Sequence, residues 1–311
     1  MDHRRAQRRG LRRAGRAPAG GEMRTDTELR RPDGTVLRGW VRRPTAPAGP
    51  ARAVWLVHGL GEHLGRHDEL ADWFLARGFI VAGHDHRGHG RSSGRRAAIS
   101  AAEDLVDDLE AGLAALADRF GGQSGGEPGA RLAGPPLLFG QSLGGLVALT
   151  LALRAPERVA GLVMSSPALD PGLSRAQALL YRTMLALAPD LPVPSGLEPD
   201  RLSHDPEVAR RWRADPLVHG RITARLLRFV VEGSARALRE APRLAVPALL
   251  QYGTDDSFVN PEGSRRFAAA APARRLTARE YAGLRHELQQ EPEPMRARVR
   301  ADLADWLARV A

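Results

Sequence analysis

Gly140-Gln141-Ser142-Leu143-Gly144 is the stretch that decides the fold of this chain. It fits the pattern G-x-S-x-G, which places a nucleophilic serine on a sharp turn between a strand and a helix. The apolar residues 136–139 before it have the length of a short buried strand, and residues 146–153 are typical of the helix that follows. We therefore predict that Ser142 is a nucleophile and that the Leu143 N–H donates to an oxyanion formed there.

A serine nucleophile needs a histidine base, and that histidine needs a carboxylate to hold its tautomer. In chains with this turn the three residues follow the order serine, acid, histidine. Of the ten histidines, only His286 follows an acid that lies after Ser142 at a predicted strand end. The acid lies within residues 253–257, where Asp255 and Asp256 are equal candidates.

A second N–H donor for the oxyanion is expected from the loop after the apolar strand 53–57. This loop reads His58-Gly59-Leu60-Gly61-Glu62-His63. Gly59 and Gly61 allow its backbone to fold back toward Ser142. We therefore predict the Leu60 N–H as the second donor.

Apolar runs of strand length alternate with helical patterns along most of the chain. The predicted strands cover residues 36–41, 53–57, 79–82, 136–139, 159–164, 247–252 and 276–281. Residues 101–120 and 295–310 are predicted as helices. Strands that alternate with helices form a mainly parallel sheet with helices on both faces, so we predict an α/β fold.

Residues 169–240 interrupt this alternation, because they combine helical patterns with prolines and show no clear strand. The segment is too long for an ordinary connection and predicts an inserted helical cap over the carboxyl edge of the sheet, where α/β proteins bind ligands. Leu179, Leu180 and Met184 belong to an apolar patch in this cap. The patch either packs on the core or forms a wall for a lipid-like substrate.

Composition excludes several kinds of site. The chain has no cysteine, which excludes disulfides, zinc-thiolate sites and a cysteine nucleophile. It has no run of 18 apolar residues, so no membrane-spanning helix is predicted. Outside the N-terminal segment, charges of both signs are interspersed, which is typical of a solvated surface rather than a phosphate-binding stripe. We expect a cytoplasmic protein with no cofactor, no metal, no nucleic-acid partner and at most peripheral membrane contact.

The first 22 residues hold seven arginines against two acidic residues, and their net charge of +5 is half of the total of +10. They lack the apolar segment of a secretory signal. We predict a disordered basic tail over residues 1–22, and an α/β core over 23–168 and 241–311. Two alternatives are a basic arm for nucleic acid or anionic lipid, and sequence upstream of a true start at Met23.

His84, Asp85, His86 and His89 form a cluster of residue types that bind metals at short spacings. A metallohydrolase is therefore one alternative function. The glycines and Ser92 within this stretch also fit a tight loop with no metal. A hydrolase-like scaffold without catalytic activity is the alternative from a second class.

Four motifs together resemble the monoacylglycerol lipase and lysophospholipase-like (serine aminopeptidase-related) family of α/β-hydrolases. They are His58–His63 with Gly65-Arg66, Asp85–Ser92, Gly140–Gly145, and Gly253–Asp256. The resemblance spans about residues 50–290. It implies the α/β-hydrolase fold, selects Asp256 over Asp255, and makes the segment 169–240 a lipid-facing cap. The catalytic residues that it implies are Ser142, Asp256 and His286, with oxyanion donors at Leu60 and Leu143.

These features predict a serine hydrolase that cleaves carboxylic esters through an acyl-enzyme. The resemblance implies monoacylglycerols or lysolipids as substrates. From the apolar patch in the cap we predict that Leu179, Leu180 and Met184 bind the substrate. A short-chain carboxylesterase or a peptidase of the same fold is the alternative within enzymes.

Overall fold

The computed structural model describes residues 21–45, 49–121 and 131–310. Its strands are β1 (Glu22–Arg30), β2 (Val36–Pro44), β3 (Ala53–Val57), β4 (Ile80–His84), β5 (Leu137–Gln141), β6 (Gly161–Ser165), β7 (Val193–Pro194), β8 (Arg221–Ile222), β9 (Ala248–Gly253) and β10 (Leu276–Tyr281). Its α-helices are α1 (Asp68–Leu75), α2 (Asp104–Phe120), α3 (Leu143–Arg154), α4 (Arg175–Leu187), α5 (Pro206–Ala214), α6 (Ala224–Glu240), α7 (Pro261–Ala270) and α8 (Met295–Arg309).

Eight of these strands form one sheet in the order β1-β2-β4-β3-β5-β6-β9-β10. The strands from β4 to β10 in this order pair in parallel. At the other edge, β2 pairs antiparallel with both β1 and β4. Strands that are covered on both faces read as continuous apolar runs, and β3, for example, is buried at every residue. The predicted α/β-hydrolase fold, with its mainly parallel sheet and inserted cap, is confirmed.

Helices cover both faces of the sheet, as the alternation of side chains along β3 shows. Trp55 belongs to a core cluster with residues of α2, α3, α6 and α7. Its neighbours Val54 and Leu56 belong to a second cluster with residues of α1 and α8. Successive side chains of a strand point to opposite faces, so these two clusters are the two sides of one sheet.

The predicted N-terminal boundary needs correction. Residues 1–20 of the predicted tail lie outside the described residues. Strand β1 begins at Glu22, the last residue assigned to the tail, which pairs with Pro44 in the sheet. The Glu22 carboxylate also lies 2.7 Å from Arg42 Nη2 of β2. Glu22 therefore belongs to the sheet, and the predicted tail ends before it.

The predicted cap is also shorter than residues 169–240. Helix α6 shares the core cluster of α3 through Leu226, Phe229 and Ala237. A Cβ on Gly233 would lie 3.3 Å from Leu146 of α3, so the two helices approach closely. Helix α6 therefore belongs to the helical layer of the core. The rest of the segment also contains the short strand pair β7–β8, which the sequence did not predict because two residues leave no alternating pattern.

No helix within the described residues is long and apolar enough to cross a bilayer.

Candidate active site

Ser142 occupies a strained turn between β5 and α3, with φ 53° and ψ −117°. A residue with a side chain rarely adopts such a conformation, and its neighbours must leave room for it. A Cβ on Gly140 would lie 2.4 Å from Gly144 O, and a Cβ on Gly144 would lie 2.1 Å from Val57 O. Only glycine fits at both positions, which explains the spacing of the motif. The turn places Ser142 in the wall of a cavity at the carboxyl edge of the sheet.

His286 and Asp256 come from two neighbouring strands that end at the same edge. Asp256 follows β9, and His286 follows β10. The His286 Nδ1 lies 2.7 Å from Asp256 Oδ2, and both side chains are buried. The other oxygen of Asp256 accepts hydrogen bonds from the Phe258 and Val259 N–H groups at 2.8 and 3.1 Å. These three contacts fix the carboxylate in one orientation toward the histidine.

Asp255 points away from this pair. Its side chain is 47% exposed, and its oxygens lie 3.8 Å from Arg201 and 3.6 Å from Arg285. The structure therefore brings Asp256, and not Asp255, to His286. This is the arrangement implied by the family resemblance, and the residues alone had left it open.

The electrostatic environment of His286 favours its protonated form. Burial alone disfavours the imidazolium, but the attraction and hydrogen bond of Asp256 outweigh it, with smaller contributions from Glu287 and Glu62. The pKa of His286 is therefore raised above its ordinary value. The Phe258 ring lies against the imidazole with 4.9 Å between the centroids, and the Gln141 amide donates to the His286 carbonyl at 3.2 Å. These contacts hold the ring in place.

Leu60 and Leu143, the two predicted oxyanion donors, line the same cavity as Ser142 and His286. The loop that carries Leu60 approaches the serine closely, because a Cβ on Gly59 would lie 3.3 Å from Ser142 Cβ. The Gly59 N–H donates to Glu62 Oε1 at 2.5 Å and fixes the start of the loop. Leu143 is the first residue of α3, so its N–H lies at the positive end of the helix dipole.

The cavity has a volume of about 280 Å³ and an apolar wall contributed by the segment between β6 and β9. That part of the wall comprises Leu197, Leu202, Trp212, Ile222, Leu227 and Val230. These residues are spread over α5, β8, α6 and the irregular stretch before α5. No single run of hydrophobic periodicity joins them, so the sequence did not identify them as one wall.

The structure does not bring the predicted substrate contacts Leu179, Leu180 and Met184 to the cavity, because none of them lines it. Leu179 and Leu180 are 68% and 62% exposed, and α4 buries none of its residues. Periodicity identifies an apolar helix face but does not tell what covers it. Here the face of α4 is directed outward.

Hydrogen bonds within the protein fix the loop that contains His84, Asp85, His86 and His89. The Asp85 carboxylate accepts the Leu64 and Arg91 N–H groups at 2.8 and 2.7 Å. Within the described part of the chain, no group of three or more His, Cys, Asp or Glu residues is arranged to hold a metal ion. These hydrogen bonds explain the stretch as a tightly bonded loop.

Comparison with known proteins gives a consistent result. The family model described as serine aminopeptidase, S33, matches residues 48–293. A monoacylglycerol lipase from Mycolicibacterium smegmatis is 31% identical over 266 residues, which cover 85% of this chain and 90% of that protein. The crystal structure of Paleococcus ferrophilus monoacylglycerol lipase matches with a TM-score of 0.76 and 33% identity, covering 88% of this chain and 99% of that one.

A soluble variant of monoglyceride lipase from Saccharomyces cerevisiae, solved in complex with a substrate analogue, has a TM-score of 0.77. It covers 92% of this chain and 95% of that one at 20% identity, a level that shows a shared fold and no more.

Proposed function

The chain belongs to the serine aminopeptidase S33 family of α/β-hydrolases and is a serine ester hydrolase, and we propose that Ser142, His286 and Asp256 carry its reaction. The observation that carries this assignment is the buried 2.7 Å contact between His286 and Asp256, next to a cavity that Ser142 also lines. With Nδ1 held by the carboxylate, Nε2 is free to act as a base.

The proposed mechanism follows from these positions. His286 accepts the Ser142 proton as Oγ attacks the ester carbonyl carbon, and the Leu60 and Leu143 N–H groups donate to the oxyanion. The intermediate collapses when His286 gives the proton to the leaving alcohol. Water then attacks the acyl-enzyme with His286 again as base, which releases the carboxylic acid and restores Ser142.

We propose monoacylglycerols or lysolipids as the substrate class. Two lipases among the similar proteins support this class by their names. The cavity supports it by chemistry, because its lining combines this apolar wall with the buried polar side chains of Glu62, Gln141 and Glu287. Such a cavity accepts an acyl chain on one side and a polar alcohol on the other.

A short-chain carboxylesterase is the second candidate, and the cavity volume favours it. Ligand pockets commonly measure about 300–1,000 Å³, and the volume here, about 280 Å³, lies below that range. An acyl chain that fills it without any movement of the cap would be short.

Hydrolysis of 4-nitrophenyl esters from acetyl to palmitoyl tests both the mechanism and the substrate class. We expect Ser142→Ala to lose ester hydrolysis and fluorophosphonate labelling, with an unchanged unfolding temperature. We expect kcat/KM of the wild type to be highest for medium or long chains, and monoacylglycerols to be cleaved. A maximum at acetyl would favour the carboxylesterase, and labelling that persisted in the Ser142→Ala variant would contradict the mechanism.

We further propose peripheral contact between α4 and a lipid surface. Four exposed large apolar side chains lie on or just after this helix, namely Leu179, Leu180, Leu187 and Leu191. Arg175 and Arg182 of the same helix are also exposed. Exposed apolar residues with cationic neighbours are typical of helices that lie in the membrane interface.

A further inference from the structure

A buried ion-paired bridge lies behind the proposed catalytic residues. The Arg66 Nε lies 3.1 Å from Glu62 Oε2, and its Nη2 lies 2.8 and 2.9 Å from the two oxygens of Glu287. All three side chains are at least nine-tenths buried. No sequence pattern indicated this bridge, because Arg66 and Glu287 are 221 positions apart.

The two ends of the bridge hold the two loops on which the proposed reaction depends. Glu62 accepts the Gly59 N–H, one residue before the proposed donor Leu60. Glu287 directly follows His286, and its own N–H donates to Leu202 O at 2.8 Å. Glu62 and Glu287 line both the cavity of Ser142 and a second cavity of about 280 Å³ with a mainly polar lining, whereas Arg66 lines only the second. The bridge is therefore the wall between them.

Fold stability alone does not account for such a bridge. Burying three charges has a large desolvation penalty, and apolar residues of similar volume often stabilise a core as well or better. When both carboxylates are ionised, the single guanidinium leaves a net negative charge beside His286, and burial raises the pKa of Glu287. The His67 Nε2, 3.5 Å from Glu62 Oε1, and the Gln290 amide, 2.6 Å from Glu287 Oε2, are the further groups that face the two carboxylates.

We propose that Arg66 is a positioning residue, which fixes the loop of Leu60 relative to the loop of His286 through Glu62 and Glu287, and that the Glu287 carboxylate, next to His286 in the chain, adds negative charge that favours the protonated imidazole. This inference rests on the proposed function. The geometry has electrostatic support, since Glu287 and Glu62 both help to raise the pKa of His286, after the larger effects of burial and Asp256.

Arg66→Lys tests the positioning role. Lysine keeps the positive charge but lacks the planar guanidinium that bonds to both carboxylates at once. We expect kcat on 4-nitrophenyl esters to fall about 10- to 100-fold, because small misplacements of reacting groups have effects of that size. KM should stay within about threefold, since no acyl contact changes. Arg265→Lys, an exposed arginine paired with Glu280, is the matched control and should resemble the wild type.

Glu287→Gln tests the electrostatic role through the pH profile of kcat/KM. Hydrolysis needs neutral His286, so the rate falls as the pH drops through its pKa. Removing a negative neighbour lowers that pKa, and the acid limb should move to lower pH by roughly half a unit. The matched control Glu280→Gln removes an exposed carboxylate on β10. It should not move the acid limb of the pH profile.

Several outcomes would overturn the inference. Folded Arg66→Lys with the kcat of the wild type would refute the positioning role, and an unshifted acid limb in folded Glu287→Gln would refute the electrostatic one. A loss of thermal stability without either kinetic change would make the bridge purely structural. If the wild type itself neither hydrolyses esters nor labels at Ser142, the proposed function fails instead, which separates the two failures.

Discussion

At the scale of single residues, the two neighbouring carboxylates Asp255 and Asp256 have opposite environments. Asp256 is buried against His286, whereas Asp255 is half exposed among arginines. We predict that Asp256→Asn lowers kcat for ester hydrolysis by about 10⁴-fold, because the amide no longer holds the productive tautomer of the histidine. Asp255→Asn should stay within about twofold of the wild type.

The two asparagine variants control each other, because they make the same chemical change one residue apart. Steady-state hydrolysis of one 4-nitrophenyl ester is sufficient, with circular dichroism to establish folding. A large loss in Asp255→Asn together with an active Asp256→Asn would reverse the assignment.

The close packing around the glycines next to Ser142 gives a second prediction for a single residue. A methyl group on Gly144 would meet the carbonyl oxygens of Val57 and His58 at 2.1 and 2.5 Å. Gly144→Ala should therefore displace the turn and destabilise the fold by about 1–3 kcal/mol, as overpacking does. Gly134→Ala is the matched control, since nothing lies within 4 Å of its Cβ position. Urea unfolding of both variants measures the difference, and equal midpoints would contradict it.

At the scale of elements, helix α4 shows what local pattern can and cannot predict. The pattern correctly predicted a helix in this region, but it did not predict which way its leucines point. We expect the double variant Leu179→Glu/Leu180→Glu to bind anionic vesicles about tenfold more weakly, because it loses two exposed apolar groups and adds negative charge. Hydrolysis of a soluble short-chain ester should be unchanged, because neither residue lines the cavity.

Met23→Glu is the control for the vesicle experiment. Met23 is another exposed large apolar residue, 40% accessible, but it lies on the edge strand β1. Vesicle flotation of the three proteins separates a specific effect of α4 from a general effect of surface hydrophobicity. Equal binding by the α4 variant and the wild type would exclude this helix as the contact.

At the scale of the whole molecule, the sequence predicted the features that follow from chain order and local pattern. The individual strands and the G-x-S-x-G turn are each encoded by residues that are close in the chain. The choice of Asp256 over Asp255 and the bridge through Arg66 depend on contacts between distant loops. Such contacts leave no local pattern, which is why family resemblance was needed for the first and the structure for the second.

A cluster of buried neutral histidines makes the whole fold sensitive to acid. Burial, with smaller effects of neighbouring charges, lowers the pKa of His84 to about 3 and of His86 to about 4. The pKa values of His58 and His89 also lie well below the ordinary value, again chiefly because of burial. These side chains support one another, since the His86 N–H donates to His58 Nε2 at 2.8 Å, a contact that requires neutral His58.

The lowered pKa values of these histidines determine how the stability of the fold changes with pH. An unfolded histidine takes up a proton below about pH 6.5, whereas the folded ones stay neutral, so their stabilisation is lost as the pH falls below that value. For a folded pKa near that of His86, about 4, the loss at pH 5 is about 2 kcal/mol. We predict that the free energy of unfolding in urea falls steeply between pH 6.5 and 5, with roughly three protons taken up on unfolding. His86→Gln keeps a polar side chain but cannot titrate, so it should reduce that slope by about one proton, and an unchanged slope would show that this cluster does not control acid stability.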